Sequence, residues 1–239
     1  MSPAMEQVSV SCINCEKETI RLLASITEPL RFTLSRFPTA LSFLEQFDPS
    51  VPGCAIADFN MPDCGNWELV EVIQAEPPGI EIIFLAETMD VTTAVELMKA
   101  GVADVYLKPF NAHTLKQSLC RAVETDAEKK RLFASREFAR QHYTMLTPRE
   151  REVFQLVVSG LPSKGIARVL DRSQKTVEVH RTSIMKKMAA RSVVDLVRMG
   201  MELSVLDELG ASKTHNDGHI GGSTLAATSH TFSLANKVG

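Results

Sequence analysis

Leu146-Thr147-Pro148-Arg149-Glu150-Arg151-Glu152-Val153 opens a stretch that runs on through Gly160-Leu161-Pro162-Ser163-Lys164-Gly165-Ile166-Ala167 to Ser173-Gln174-Lys175-Thr176-Val177-Glu178-Val179-His180-Arg181. Thr147 is a helix N-cap residue type, Pro148 suits the first helical position, and Glu150 completes a capping box. Val153, Leu156 and Val157 then recur on one helical face, and Gly160 closes the helix. Ser163 starts a second short helix that turns Ile166, Ala167 and Leu170 inward. Asp171-Arg172 makes a turn, and Ser173 caps a third helix with Val177, Ile184 and Met188 inward. A fourth, Val193 to Leu203, supplies Val194, Leu196, Val197 and Met201 to the core. Two helices joined by a short turn, the second rich in outward polar and basic residues, form a helix-turn-helix.

Charge agrees with this reading. Between Gln141 and Glu202 stand eleven Lys and Arg against six Asp and Glu, while the rest of the chain carries fifteen against twenty-three. A basic block on an acidic partner is an electrostatic footprint for phosphates. In combination, the Leu146–Val153 opening, Lys164-Gly165-Ile166-Ala167 and Thr176-Val177-Glu178-Val179-His180 resemble the LuxR-type helix-turn-helix of FixJ/NarL-family response regulators. The resemblance implies binding of double-stranded promoter DNA as a homodimer. The third helix would read bases and the fourth would mediate dimerisation. Carried onto this chain, Lys175, Thr176, His180 and Arg181 become the expected contacts, with Lys164 and Lys186 on phosphate.

Upstream, short apolar runs alternate with helical patterns. Val8 to Ile13, Cys54 to Ala57, Ile80 to Ala86 and Val102 to Leu107 read as strands. Glu18–Thr27, Trp67–Glu76, Val91–Ala100 and the segment from Thr114 read as helices. This alternation predicts a parallel sheet covered on both faces, with functional groups at the carboxyl ends of strands. Asp58, Lys108 and the Asn14-Cys15-Glu16 turn fall at such ends. Asp58-Phe59-Asn60-Met61-Pro62-Asp63, Met98-Lys99-Ala100-Gly101 and Lys108-Pro109-Phe110 resemble the motifs of CheY-like receiver domains. The resemblance implies an α/β receiver with a five-stranded, parallel, doubly wound, flavodoxin-like sheet, followed by an all-α four-helix DNA-binding domain. It further implies phosphorylation at Asp58, Lys108 as support for the phosphate, a sensor histidine kinase as partner, and Mg²⁺ held by Glu16, Asp58 and Asn60.

Four features depart from the receiver pattern, the mildest being the turn glycine, shifted to Gly65 with Asn66 at its usual place. Cys15 replaces one of two adjacent acids. Ala86 replaces the hydroxyl residue that binds the phosphoryl group. Val105 stands where the family has an aromatic, with Tyr106 beside it. These departures leave a second reading open: an orphan regulator, independent of phosphorylation, whose receiver serves as a dimerisation or partner-binding module. No catalytic triad order, P-loop or glycine-rich dinucleotide turn appears, so an enzyme is not expected.

The expected organisation is a receiver over 1–125, a helical linker over 126–142, a DNA-binding domain over 143–205 and a disordered tail over 206–239. The linker is charged and free of Pro and Gly, and the tail is rich in Gly, Ser, Thr and His. No apolar run is long enough to span a membrane, and Met1 to Val10 does not read as a signal peptide. A cytoplasmic protein is expected, so the five cysteines do not suggest a disulfide framework. Cys12-Ile13-Asn14-Cys15 has redox or metal spacing, but it reads better as strand packing with no helix N-terminus beside it.

Overall fold

A computed structural model describes residues 8–75 and 77–214, with side chains described as far as Leu203. Five parallel strands alternate with helices: β1 Ser9–Ile13, α1 Lys17–Leu30, β2 Thr33–Phe37, α2 Ala40–Gln46, β3 Gly53–Asp58, α3 Asn66–Ala75, β4 Glu81–Ala86, α4 Val91–Lys99 and β5 Asp104–Leu107. The strand order is β2-β1-β3-β4-β5. The order reverses at β1, so the ends of β1 and β3 open a crevice above the sheet.

The central strands β3 and β4 are buried along their whole length, as both faces are covered. On one face Ile13, Ala55, Ala57, Ile82 and Phe84 pack under α2, α3 and α4. On the other, Val10, Cys12, Cys54, Ile56, Ile83 and Leu85 pack against α1 and the start of α5. At Gly53 an added Cβ would meet the Ser9 carbonyl oxygen at 2.1 Å, so β3 can start there only with glycine.

Helix α5 runs unbroken from Ala112 to Thr144. Its N-cap, Asn111, accepts the backbone N–H of His113 at 2.8 Å. The expected linker is thus the second half of this helix. Four more helices follow: α6 Pro148–Val158, α7 Ser163–Val169, α8 Gln174–Lys187 and α9 Val193–Thr214. Val153, Phe154, Val157, Ile166, Val177, Ile184, Met188, Leu196 and Met199 form their core, and Ala139 of α5 belongs to it. The last helix therefore continues past Leu203, into the stretch expected to be tail. The remainder of that stretch, 215–239, lies outside the described residues.

Two expectations about α9 are corrected. Val194 and Met201 do not enter the core but are 75% and 64% exposed. The inward residues are Leu196 and Met199, together with Gly200, where an added Cβ would strike the Val158 side chain at 2.5 Å. That glycine sets how closely α9 lies on α6, and the closeness rotates Val194 and Met201 outward.

Candidate functional site

Asp58 ends β3 and is 8% exposed. Its Oδ1 accepts the backbone N–H of Asn60 at 3.0 Å. Its Oδ2 accepts Lys108 Nζ at 2.7 Å. Lys108 follows β5, and the Lys108–Pro109 peptide is cis. The ammonium also reaches Glu16 Oε1 and Glu87 Oε1, each at 3.2 Å. Burial works against its charge. The carboxylates of Asp58, Glu87 and Glu16 outweigh burial and hold Lys108 above the usual lysine range.

Asn14 supports the same corner. It takes a left-handed backbone conformation, φ 52°, which asparagine tolerates, in the turn between β1 and α1. From there its side-chain amide donates to the Asn60 carbonyl oxygen at 3.1 Å. The structure thus gathers Asp58, Lys108, Glu16, Asn14 and Asn60 at one sheet end. It adds Glu87, which sequence reading missed. The only available signal was an acid directly after the substituted Ala86.

The expected metal ligands do not form a closed shell. Glu16 and Asp58 bond the Lys108 ammonium, and the Asn60 carbonyl bonds Asn14. Among the described residues no group of three or more His, Cys, Asp or Glu is arranged for a metal ion. As arranged, these oxygens solvate an ammonium, where Mg²⁺ would need an octahedral oxygen set.

The substituted positions are equally plain. Ala86 is buried at the end of β4 and offers only a methyl group. Val105 packs into the α3–α4 side of the core. Tyr106 lies on the opposite side of the sheet, where its hydroxyl donates to the Thr114 carbonyl at 3.0 Å. Tyr106 therefore does not replace the missing aromatic. Beside the site, an apolar groove of about 650 Å³ lies between α4 and β5, lined by Met89, Val91, Val95, Met98 and Leu107.

Cys12 and Cys54 are buried strand residues, and all five cysteines are free. Cys15 does precede a helix, α1, contrary to the sequence reading. Its thiol nevertheless sits well above the usual range, because of the Cys12 thiol beside it and then its burial, while its own hydrogen bonds run to the Ile13 and Ile56 carbonyls at 3.5 Å each. That setting disfavours the reactive thiolate.

The second site is α8. Ser173 caps it by accepting the Thr176 N–H at 3.1 Å, and the two hydroxyls lie 2.8 Å apart. Glu150 fixes where α8 sits. It closes the α6 capping box with Thr147 and also accepts Ser183 Oγ and Lys187 Nζ, each at 2.6 Å. Burial pulls the Glu150 carboxyl upward, but the bonds from Lys187, Ser183 and Thr147 prevail and hold it at about 2.

With Val177, Ile184 and Met188 buried, the outward face of α8 follows from helical geometry at roughly 100° per residue. It carries Lys175, Glu178, Val179, Thr182 and Lys186, all exposed. Val179, 63% exposed, is an apolar residue the sequence reading passed over. Thr176 is exposed at the edge of this face, and Lys164 is exposed on α7. His180 and Arg181 are half-buried. His180 faces a small cavity with Arg149, Val153, Leu170, Arg172 and Val177, toward α6 and α7.

Comparison with known proteins gives matches over both halves. A family described as "Response regulator receiver domain" matches residues 10–120. A second, "Bacterial regulatory proteins, luxR family", matches residues 144–200. The chain is 35% identical over 198 residues to the transcriptional regulatory protein FixJ of Rhizobium meliloti, covering 82% of this chain and 97% of that protein. It is 30% identical over 184 residues to the response regulator protein TodT of Pseudomonas putida, covering 77% and 81%. Among solved structures, the response regulator StyR superposes with a TM-score of 0.70 at 31% identity, over 82% of this chain and 99% of StyR.

Proposed function

Because this chain belongs to the two-component response regulators that join a receiver to a LuxR-type DNA-binding domain, we propose that it binds promoter DNA as a homodimer through the outward face of α8, under the control of Asp58. The observation that carries the DNA reading is the exposed stripe Lys175, Glu178, Val179, Thr182 and Lys186, on a helix locked from behind by Glu150. Lys175 and Lys186 supply positive charge at its two ends. Glu178 can accept from a cytosine amino group and Val179 can pack on a thymine methyl. Lys164 and Thr176 border the stripe and suit phosphate contacts. A second copy brings a second α8 to a neighbouring half-site. The exposed Val194 and Met201 on α9 suit the contact between copies.

Asp58 is the group placed to accept a phosphoryl group from a sensor histidine kinase. Each of its oxygens accepts one hydrogen bond and keeps a second lone pair with which to attack. Mg²⁺ would have to share Glu16 and Asp58 with the ammonium. A cytoplasmic setting belongs to the same reading, and among the described residues no helix is long and apolar enough to cross a membrane. The role as regulator rather than enzyme rests on the family, which is one of regulatory proteins.

A second reading is favoured by Ala86 and by the ammonium already bonded to three carboxylates. In it the receiver is a dimerisation or partner-binding module, using the α4–β5 groove, and Asp58 has no regulatory part. Selecting duplexes from a random pool with the full chain tests the DNA reading. Enrichment of a two-fold symmetric motif is expected, and no enrichment at all would end it. Repeating the selection with acetyl phosphate and with Asp58→Asn separates the two readings.

A further inference from the structure

Lys108 Nζ has three protons and three carboxylate partners: Asp58 at 2.7 Å, Glu16 at 3.2 Å and Glu87 at 3.2 Å. Asp58 and Glu16 accept hydrogen bonds from it, and Glu87 completes the set as an ion pair, matching the three donors of an ammonium. The partners differ in how freely they can leave. The Asp58 side chain is buried, whereas those of Glu16 and Glu87 are 65% and 59% exposed. Glu16 is the N-cap of α1, and the Ile20 N–H donates to its carbonyl. Glu87 stands in the turn between β4 and α4.

We propose that Glu87 is a resident anion that ties the β4–α4 turn to Lys108 in the unmodified protein, and that an anion arriving on Asp58 displaces it. This rests on the reading of Asp58 as a phosphoryl acceptor. When an Asp58 oxygen attacks the phosphorus of a small donor such as acetyl phosphate, an oxygen–phosphorus bond forms and acetate leaves with the electrons of the broken bond. The new acyl phosphate adds negative charge beside Lys108 and needs one of its protons. Glu87 has no hydrogen to donate to the phosphoryl group. Like charges at this range repel, and Glu87, on the turn between β4 and α4, yields before Glu16, whose backbone is held as the N-cap of α1.

The sign of the response follows. A hydroxyl at position 86 would draw the turn toward a phosphoryl group. Here Ala86 cannot donate, and the neighbouring Glu87 is pushed away. Phosphorylation therefore releases the turn rather than tightening it. The release reaches α4 directly, because Asp90 caps that helix through the Thr93 N–H at 2.9 Å and the Thr93 hydroxyl at 2.6 Å. Val91, 80% exposed, and Leu107, beside Lys108, line the apolar groove at that point. Glu87 is thus a positioning residue that couples Asp58 to the α4–β5 groove.

The test compares full-length wild type, Glu87→Ala and Glu87→Gln. Without any donor, amide hydrogen exchange over residues 88–91 should quicken about threefold or more in Glu87→Ala, and unchanged exchange would refute the tether. With acetyl phosphate, followed by intact mass, both variants should gain the phosphoryl mass about threefold or more faster than wild type. Exchange over 88–91 should rise in wild type on phosphorylation and stay level in Glu87→Ala. A fall in wild-type exchange, or equal incorporation rates in all three proteins, would overturn the proposal. Absence of incorporation in all three would refute both the Asp58 reading and the displacement, while the donor-free comparison would still decide the tether by itself.

Discussion

The Asp126 carboxylate on α5 accepts the backbone N–H of Gly53 at 2.7 Å, binding the helix to the residue that starts β3. Asp58 lies at the other end of that strand. Asp126 also pairs with Lys130 at 2.8 Å, and Lys130 donates to the Val51 carbonyl at 2.7 Å. Both side chains are almost fully buried, and the ammonium lies 5.8 Å from the Phe47 ring centroid. Lys129, next to Lys130, reaches Glu81 at the base of β4. Together these contacts clasp α5 to the lower rim of the sheet.

Breaking a buried pair from one side strands the other charge. Asp126→Ala should destabilise the receiver by about 3–5 kcal/mol. Urea denaturation followed by circular dichroism measures this. The double variant Asp126→Leu/Lys130→Met should recover much of the loss. A single variant as stable as wild type would show that the clasp contributes nothing.

Acid should weaken the DNA-binding half through Glu150. Its folded-state carboxyl lies at about 2, below its ordinary value of 4.5, so its contribution is present above the ordinary value. That contribution is lost as the pH falls through the folded value. Unfolding free energy followed downward through this window should drop more steeply in wild type than in Glu150→Gln. Parallel slopes would contradict the assignment. At neutral pH, Glu150→Ala should cost about 2–4 kcal/mol by leaving Lys187 and Ser183 without their acceptor.

On DNA, Val179→Asp should abolish selection of a specific site, and Lys175→Ala should weaken it by about 1–3 kcal/mol. Arg181→Ala should act more weakly than either, as its side chain is half-buried beside the Val177–Ile184 seam. Anisotropy titrations against the selected duplex rank the three. An Arg181 effect larger than that of Val179 would mean that α8 presents a different face.

Val194 and Met201 lie seven positions apart on the outer side of α9, the spacing of one helical stripe. Val194→Glu or Met201→Glu should leave the fold intact, lower the affinity for a two-half-site duplex about tenfold or more, and barely change binding to one half-site. Equal losses on both duplexes would place the contact between copies elsewhere.

The parts of this molecule legible in its sequence are those built from local chemistry. Thr147, Pro148 and Glu150 mark a helix start within four positions, and β3 and β4 carry the unbroken apolar runs Cys54–Ala57 and Ile82–Ala86 because they are central strands. β2 escaped notice because Thr33, Leu34, Ser35, Arg36 and Phe37 form an edge strand with much of its surface in water, leaving no apolar run. The two outer residues of α9 were misplaced because Val194 and Met201 are as apolar as Leu196. Only the close approach permitted by Gly200 decides which face turns inward. Asp58 and Lys108 were found through motifs. Glu87 and the Asp126–Gly53 bond were not, because contacts between residues distant in sequence leave no local pattern.

The unbroken α5 makes the chain a geared shaft. Its 33 residues span roughly 50 Å, held near the middle by Lys130 at the rim of the sheet and shortly beyond by the 2.9 Å bond from Ser135 to Glu202 of α9. Those two anchors fix a rotational phase as well as a distance. Inserting one alanine between Leu132 and Phe133 would turn the far end by roughly 100°, whereas seven alanines would restore the phase to within about 20° while adding length. DNA affinity of such an insertion series should therefore oscillate with the helical repeat if the two halves are meshed. It should decline smoothly or stay flat if they merely share a tether.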